Sequence, residues 1–236
     1  MSNVTGNRAA PGAASVNFRT RTGKARRART RARILSAAFT LFDSQGLERL
    51  TVEDVRAQAG LARGSFYNYF ETYEGMLKEL AAEIARQLNA EQSERFDAIS
   101  NMAERVWRHL SYAILRVASD RSCSEILVRV TPLVGSLTDH MRDHAERDMR
   151  MALKAGTINV PSMGVALDLG YGLATMMLRR GLAAAVDSKE LQAAGLMLLR
   201  AFGVAETEAK RISRLRLPDL PDVPLRTAVI NNFDGA

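Results

Sequence analysis

Apolar residues recur at helical spacing through most of this chain, and no stretch alternates as a half-buried strand would. Ile34, Ala38, Leu41 and Phe42 share one face of a first helix, which should begin near Arg27 or Arg29 and end at Gly46. From Glu74 to about Ser100, Leu77, Leu80, Ile84 and Leu88 repeat nearly every four residues and predict one long helix. Met102, Val106, Leu110, Ile114 and Val117 form the next stripe, with Trp107 and Tyr112 beside it. A short helix over Ser122–Val130 must stop before Pro132, because proline disfavours helix in the residue ahead of it. A longer one is expected over Leu133–Ala155 with Gly156 as its stop, then a loop from Thr157 to Pro161. Two further helices follow, Ser162–Val186 and Ser188–Phe202, each expected to be capped by its serine. Beyond Ile212, Pro218, Pro221 and Pro224 forbid a continuous helix, so an extended surface tail is expected. The fold class is all-α.

The stretch from Thr51 to Phe70, TVEDVRAQAGLARGSFYNYF, carries the strongest local signal. Thr51 can cap a helix, and Asp54, three residues on, stands where a capping-box acid stands. Val52 and Val55 share a face. Gly60 can take the left-handed conformation that ends a helix. A second helix is expected from about Arg63, with Phe66 and Phe70 on its buried side. Its other side offers Arg63, Ser65, Tyr67, Asn68 and Tyr69, which are flat, hydrogen-bonding groups without an acid among them. Two short helices around a tight turn are the form in which a second helix enters the DNA major groove.

Residues 34 to 77 also resemble the DNA-binding domain of TetR-type transcriptional regulators. The resemblance rests on Ile34, Ala37, Ala38, Leu41, Phe42 and Gly46, the start at Thr51 to Asp54, the Ala59-Gly60 turn, and Gly64-Ser65-Phe66-Tyr67 followed by Phe70. Arg56 departs from the pattern, which usually has a small residue there; its stem must cross the helix contact or the helices must splay. Tyr73 stands where the family usually has a lysine that meets a phosphate. The resemblance implies a helix-turn-helix domain over 27–73 and a helical ligand-binding and dimerisation domain over 74–205. Residues 1–26 would be a disordered arm and 206–236 a tail. It further implies that the long helix transmits ligand binding to the reading head. Arg63 could contact guanine and Asn68 adenine, while Thr51, Tyr67 and Tyr73 position the backbone. Gly64, Ser65 and Tyr69 complete the expected interface.

Charge strengthens this picture. Residues 1–33 hold nine of the 33 Lys and Arg and none of the 26 acids, so the net charge of +7 resides in the N-terminal arm. From Arg19 the arm is basic: Arg19, Arg21, Lys24, Arg26, Arg27, Arg29, Arg31 and Arg33. An arm leading into a helix-turn-helix can follow phosphates or enter a minor groove, with Arg26, Arg27 and Arg29 nearest the domain. The single cysteine, Cys123, cannot form an internal disulfide and reads as a buried thiol. No apolar run approaches bilayer length and no signal core is present, which points to the cytoplasm.

The last two predicted helices mix small residues (Gly170, Gly172, Ala174, Ala193, Gly195) with large ones (Leu169, Met176, Met177, Leu198) nearly all round. Helices of that kind need cover on more than one side, and a homodimer built as a four-helix bundle provides it. TetR-like proteins dimerise in this way and hold a small inducer between the connecting helix and the bundle. Trp107, Tyr112, Met141, Tyr171 and Met176 are the candidate pocket residues, and they favour an apolar or amphipathic ligand. His140 and His144, four apart with Asp139, Asp143 and Asp148 nearby, evoke a metal pair. Two histidines amid mixed charges on one helix are more often a solvated face, so no metal and no cofactor is expected. No nucleophile–base set, metalloprotease motif or phosphate loop appears, which argues against an enzyme. The expected function is a dimeric repressor released from palindromic double-stranded DNA by a small molecule. The alternatives are an activating or ligand-independent regulator of the same fold and an architectural DNA-binding protein.

Overall fold

The computed structural model describes residues 13–46, 49–130 and 137–234, and the side chains of 23–46, 49–130 and 142–233. Among these residues there are helices and no strands. In order they are α1 (Ala13–Gln45), α2 (Val52–Gln58), a 3₁₀ turn (Ser65–Asn68), α3 (Tyr73–Phe96), α4 (Met102–Ala118), α5 (Arg121–Val130), α6 (Leu137–Lys154), α7 (Met163–Gly181), α8 (Ser188–Ala201), α9 (Glu206–Ser213) and α10 (Leu225–Asp234).

Two termini differ from the sequence reading. Residues 1–12 of the expected disordered arm lie outside the described residues, but from Ala13 the chain is already helical, well upstream of Arg27. Ala, Arg and Lys are strong helix formers and no proline interrupts them after Pro11, so the helix continues outward. The C-terminal segment is not an extended tail. The three prolines do break it, but α9 precedes them and α10 follows Pro224 directly. Leu225, Val229 and Phe233, at helical spacing, bury one face of α10 against α1, α3 and α5.

The head (the C-terminal half of α1, α2 and the 3₁₀ turn) has no closed core of its own. Ile34, Phe39 and Phe42 of α1, Val55 of α2, and Phe66 and Phe70 join Met76, Leu80, Ile84 and Leu88 of α3 in one cluster. That cluster runs on into Cys123, Ile126 and Val130 of α5 and the buried face of α10. A second core, around Trp107, Met149, Leu167, Leu198 and Ile212, joins α4, α6, α7, α8 and α9. Gly195 of α8 lies against the Trp107 ring, where an added Cβ would come within 2.4 Å of it.

Polar groups fix how these layers meet. Arg31 of α1 donates from Nε to Glu79 of α3 (2.6 Å to Oε1) and from Nη1 to the Tyr69 carbonyl (2.5 Å), with its guanidinium 4.3 Å from the Phe70 ring centre. Arg31 therefore serves the fold and not the arm. Thr72 caps α3, Asn101 caps α4 and Ser162 caps α7. The α8 cap is Asp187 and not Ser188, which is the first helical residue. Asp120, 1% exposed, caps two helices at once: Oδ1 accepts from Cys123 N–H in α5 (3.3 Å) and Oδ2 from Arg226 N–H in α10 (3.0 Å). Arg226 also reaches Asp43 of α1 (3.0 Å), so this arginine joins α10 to α1 as well as to the start of α5.

If each cap contributes about 1 kcal/mol, Asp120→Ala should cost about 2 kcal/mol or more in denaturant unfolding, against about 1 for the exposed single cap removed in Asp187→Ala. Equal losses in the two variants would show that the second cap contributes nothing.

Candidate nucleic-acid interface and internal cavity

The helix-turn-helix forms through local chemistry. Thr51 Oγ1 accepts from Asp54 N–H (3.2 Å), and Asp54 Oδ2 accepts from Thr51 N–H (3.0 Å), which completes the expected capping box. Gly60, at φ 62°, ends α2. Its N–H donates to the Ala57 carbonyl and that of Leu61 to the Arg56 carbonyl (3.0 Å each), the paired bonds of a Schellman end. Arg56 does not splay the helices. Its guanidinium folds back on the turn, donating to the Leu61 carbonyl and to Glu53. The second element is shorter than expected: Gly64 sits at φ 83°, a left-handed conformation no helix can contain, so helical structure begins at Ser65 and closes as one 3₁₀ turn.

This turn sorts the candidate DNA contacts. Tyr67 is 61% exposed, and Arg63, Gly64 and Asn68 are exposed beside it. Arg26 and Arg29 project freely from α1. Arg27 is exposed but partly committed, donating to the Asn68 carbonyl (2.8 Å) and lying 5.7 Å over the Tyr69 ring. Thr51 is exposed with its hydroxyl engaged by Asp54, and Ser65 Oγ donates to the Ala62 carbonyl (2.5 Å). Two residues turn away from the expected surface. Tyr69 is half-buried against α1, and Tyr73 packs on the core with its hydroxyl buried and without a partner. Burial pushes the Tyr73 phenol up to about 12, so it is neutral and faces no phosphate.

A cavity of about 90 Å³ lies in the second domain, walled by α3, α4, α6, α7 and α8. Its apolar wall comprises Val106, Leu110, Ala113, Met149, Leu167, Leu198 and Phe202; Asn89, Gln92, His109, His144 and Asp148 make its other end polar. Of the four expected pocket residues whose side chains are described, only Tyr171 lines it, with its hydroxyl buried and unpartnered. Trp107 is core, held between α4 and α8. Tyr112 is also core, its hydroxyl donating to Glu91 (2.5 Å). Met176 is exposed on α7, and the Met141 side chain lies outside those described. A helical stripe fixes which residues share a face but not which face turns inward.

The polar end was not foreseen as a unit. Asp148, 2% exposed, receives Arg105 Nη2 on Oδ1 (2.7 Å) and meets His109 Nδ1 with Oδ2 (2.8 Å); His144 Nε2 lies 3.2 Å from the same His109 nitrogen. Burial opposes ionisation of Asp148, but His109 and Arg105 close beside it outweigh that cost and hold the carboxyl well below its usual range. Burial, with His109 adding to it, lowers the His144 imidazole to about 4, so it is neutral at pH 7. The legible signal was His109 itself, a polar residue within the apolar stripe of Val106, Leu110 and Ala113. No helix among the described residues is long and apolar enough to cross a membrane.

Comparison with known proteins agrees with both halves. A family model described as bacterial regulatory proteins of the tetR family matches residues 34–80, and one described as the tetracyclin repressor-like C-terminal domain matches 101–215. The HTH-type transcriptional regulator BetI of Vibrio vulnificus (strain YJ016) is 30% identical over 73 residues, covering 31% of this chain and 37% of that relative. Among solved structures, RolR in complex with resorcinol is similar at a TM-score of 0.74 and 22% identity, over 84% of this chain and all of that one. FadR of Bacillus subtilis in complex with stearoyl-CoA is similar at 0.57 and 16% identity, over 74% of this chain and 97% of that one. The structural likenesses concern the fold, and the two family models together cover most of the chain: it belongs to the TetR family of helix-turn-helix transcriptional regulators.

Proposed function

We propose that this chain is a homodimeric repressor that releases a palindromic operator when a small amphipathic molecule enters the cavity. The observation that carries this reading is the cavity's position. Asn89 and Gln92 on its wall belong to α3, whose first turns, Met76 and Leu77, are part of the head's core. A ligand that moves α3 therefore moves the head. Orphaned polar atoms on lining residues, His109 Nε2 and Tyr171 Oη, favour a molecule with hydrogen-bonding groups on an apolar frame. The volume is of the order of the roughly 150 Å³ cavity that admits benzene, so a ring of resorcinol's size suits it better than a long acyl chain.

Dimerisation is supported by surface chemistry. Val165, Leu169, Met176 and Met197, four of the seven exposed large hydrophobics among the described residues, lie on α7 and α8. Two heads on one dimer must match half-sites about 34–36 Å apart, or a multiple of that, so a modest swing of α3 spoils the fit. Turning a 99:1 mixture of states into 1:99 takes about 5.5 kcal/mol of differential affinity. Burying roughly 200 Å² of apolar ligand surface yields around 5 kcal/mol at about 25 cal/mol per Å², so ligand and operator must be nearly exclusive.

Four measurements test this reading, with an operator selected from random DNA. Asn68→Ala should lose about 1–3 kcal/mol of sequence preference without loss of helix content. Arg26→Ala should weaken all sequences alike and flatten the salt slope by about 0.9; an Asn68→Ala protein with intact preference removes Asn68 from the reading set. Leu169→Glu combined with Met197→Glu should sediment as a monomer and bind the operator poorly, whereas a doubly substituted dimer would place the interface elsewhere. Calorimetry with resorcinol as probe should show binding that saturating operator suppresses and that Ala113→Leu abolishes. Equal affinity with and without operator would leave a ligand-independent regulator in place of the inducible repressor.

A further inference from the structure

The polar end of the cavity brings together three donor atoms that neither DNA reading nor an apolar ligand requires. His109 comes from α4; His144 and Asp148 stand one turn apart on α6. We propose that His109 Nδ1, His144 Nε2 and Asp148 Oδ2 bind a divalent transition ion of the Zn²⁺ or Co²⁺ type, with an open coordination position facing the cavity.

The spacing fits. Donors about 2.0–2.2 Å from a tetrahedral ion lie about 3.3–3.6 Å from one another. The three separations are 2.8, 3.2 and 3.9 Å and straddle that range, so a shift of a few tenths of an ångström closes the site. The set of two imidazoles and one carboxylate suits Zn²⁺, Co²⁺ or Ni²⁺ and disfavours Mg²⁺ and Ca²⁺, which prefer all-oxygen shells. The carboxylate is already oriented for this role: Arg105, itself 5% exposed, takes Oδ1 and leaves Oδ2 turned to the histidines.

Protons serve this cluster poorly. The one proton between the rings serves the His109 Nδ1–His144 Nε2 contact, which leaves Asp148 Oδ2 buried without a hydrogen-bond partner, and at 3.9 Å His144 Nε2 is too far to bond Asp148 itself. One cation satisfies the three converging lone pairs together.

Charge predicts the fourth ligand. Arg105 and Arg147 are already balanced by Asp148 and Asp97, which they contact at 2.7–3.6 Å. A divalent ion adds two uncompensated positive charges to a buried site, so the open position favours an anionic oxygen, either hydroxide or the ionised hydroxyl of a bound molecule. The metal thereby makes the cavity selective for hydroxylated ligands. This part rests on the proposed ligand-binding role of the cavity; metal binding itself does not.

The test is titration of the chelator-treated full-length protein with Co²⁺, read by its visible ligand-field bands. The expected result is one ion per chain, displaced by Zn²⁺. His144→Ala, at the more accessible of the two histidines, should keep its circular dichroism and weaken Co²⁺ binding by more than the roughly 10–100-fold that an outer-shell partner is worth. His144→Cys should restore binding and add a sulfur-to-cobalt charge-transfer band. No saturable Co²⁺ binding by the unaltered chain, undiminished binding by His144→Ala, or a bound His144→Cys without the sulfur band would each overturn the site. Operator binding by the metal-free protein is measured alongside, so failure of the metal site is distinguishable from failure of the regulator.

Discussion

One continuous apolar core governs this molecule, and α3 is its axis. Met76, Leu77, Leu80, Ala81, Ile84, Ala85 and Leu88 are all buried, so the helix is wrapped along nearly its whole length. Its first turns complete the head and its later turns support α4, α5 and α6. Interiors packed to crystal-like density transmit displacement instead of absorbing it. The head is therefore one end of a shared core, and its orientation is set where α3 meets α4, α5 and α6.

Polar side chains reinforce that coupling at the points where the core reaches the surface. Arg31 binds α1, α3 and the end of the reading turn through one guanidinium, with Glu79 as counter-ion and Phe70 beneath it. Arg27 supports the same turn from outside, through the Asn68 carbonyl. The candidate DNA-facing surface is consequently small and firmly backed. Tyr67, Asn68 and Arg63 project from a turn whose backbone is held by two arginines that composition alone would assign to a DNA-seeking arm. The groups that do reach outward from α1 are those, such as Arg26 and Arg29, that lie off the face Arg27 and Arg31 share.

Much of this was legible in the sequence because local rules sufficed. The capping box at Thr51 and Asp54, the left-handed Gly60 and the buried Phe66–Phe70 pair depend on residues a few positions apart, and each forms as read. The long connecting helix and the order of those after it follow from apolar spacing. What stayed hidden depends on facing partners. Trp107 and Tyr112 looked like pocket walls because they are large and flank a stripe, but Gly195 and Glu91 across the interface make them core. His109 and Asp148 meet only because α4 packs on α6. Gly64 reads as a helix residue by position, and its positive φ is what shortens the recognition element. In the C-terminal segment the prolines point to extended chain, whereas Leu225, Val229 and Phe233 at helical spacing find partners in α1, α3 and α5 and make it helical.

The docking of α10 on α1 gives this chain an unusual order of assembly. The head is synthesised before α10, and helix-turn-helix units are local enough to form early. Here, however, a wall of the core around α1 is supplied by α10, across the greatest sequence separation among the described helices. Contacts of that range are the slowest to form, because their loop entropy must be met before they contribute anything. A nascent head would keep an apolar face of α1 open until α10 leaves the ribosome, so a chain interrupted ahead of α10 would present an unfinished helix-turn-helix domain.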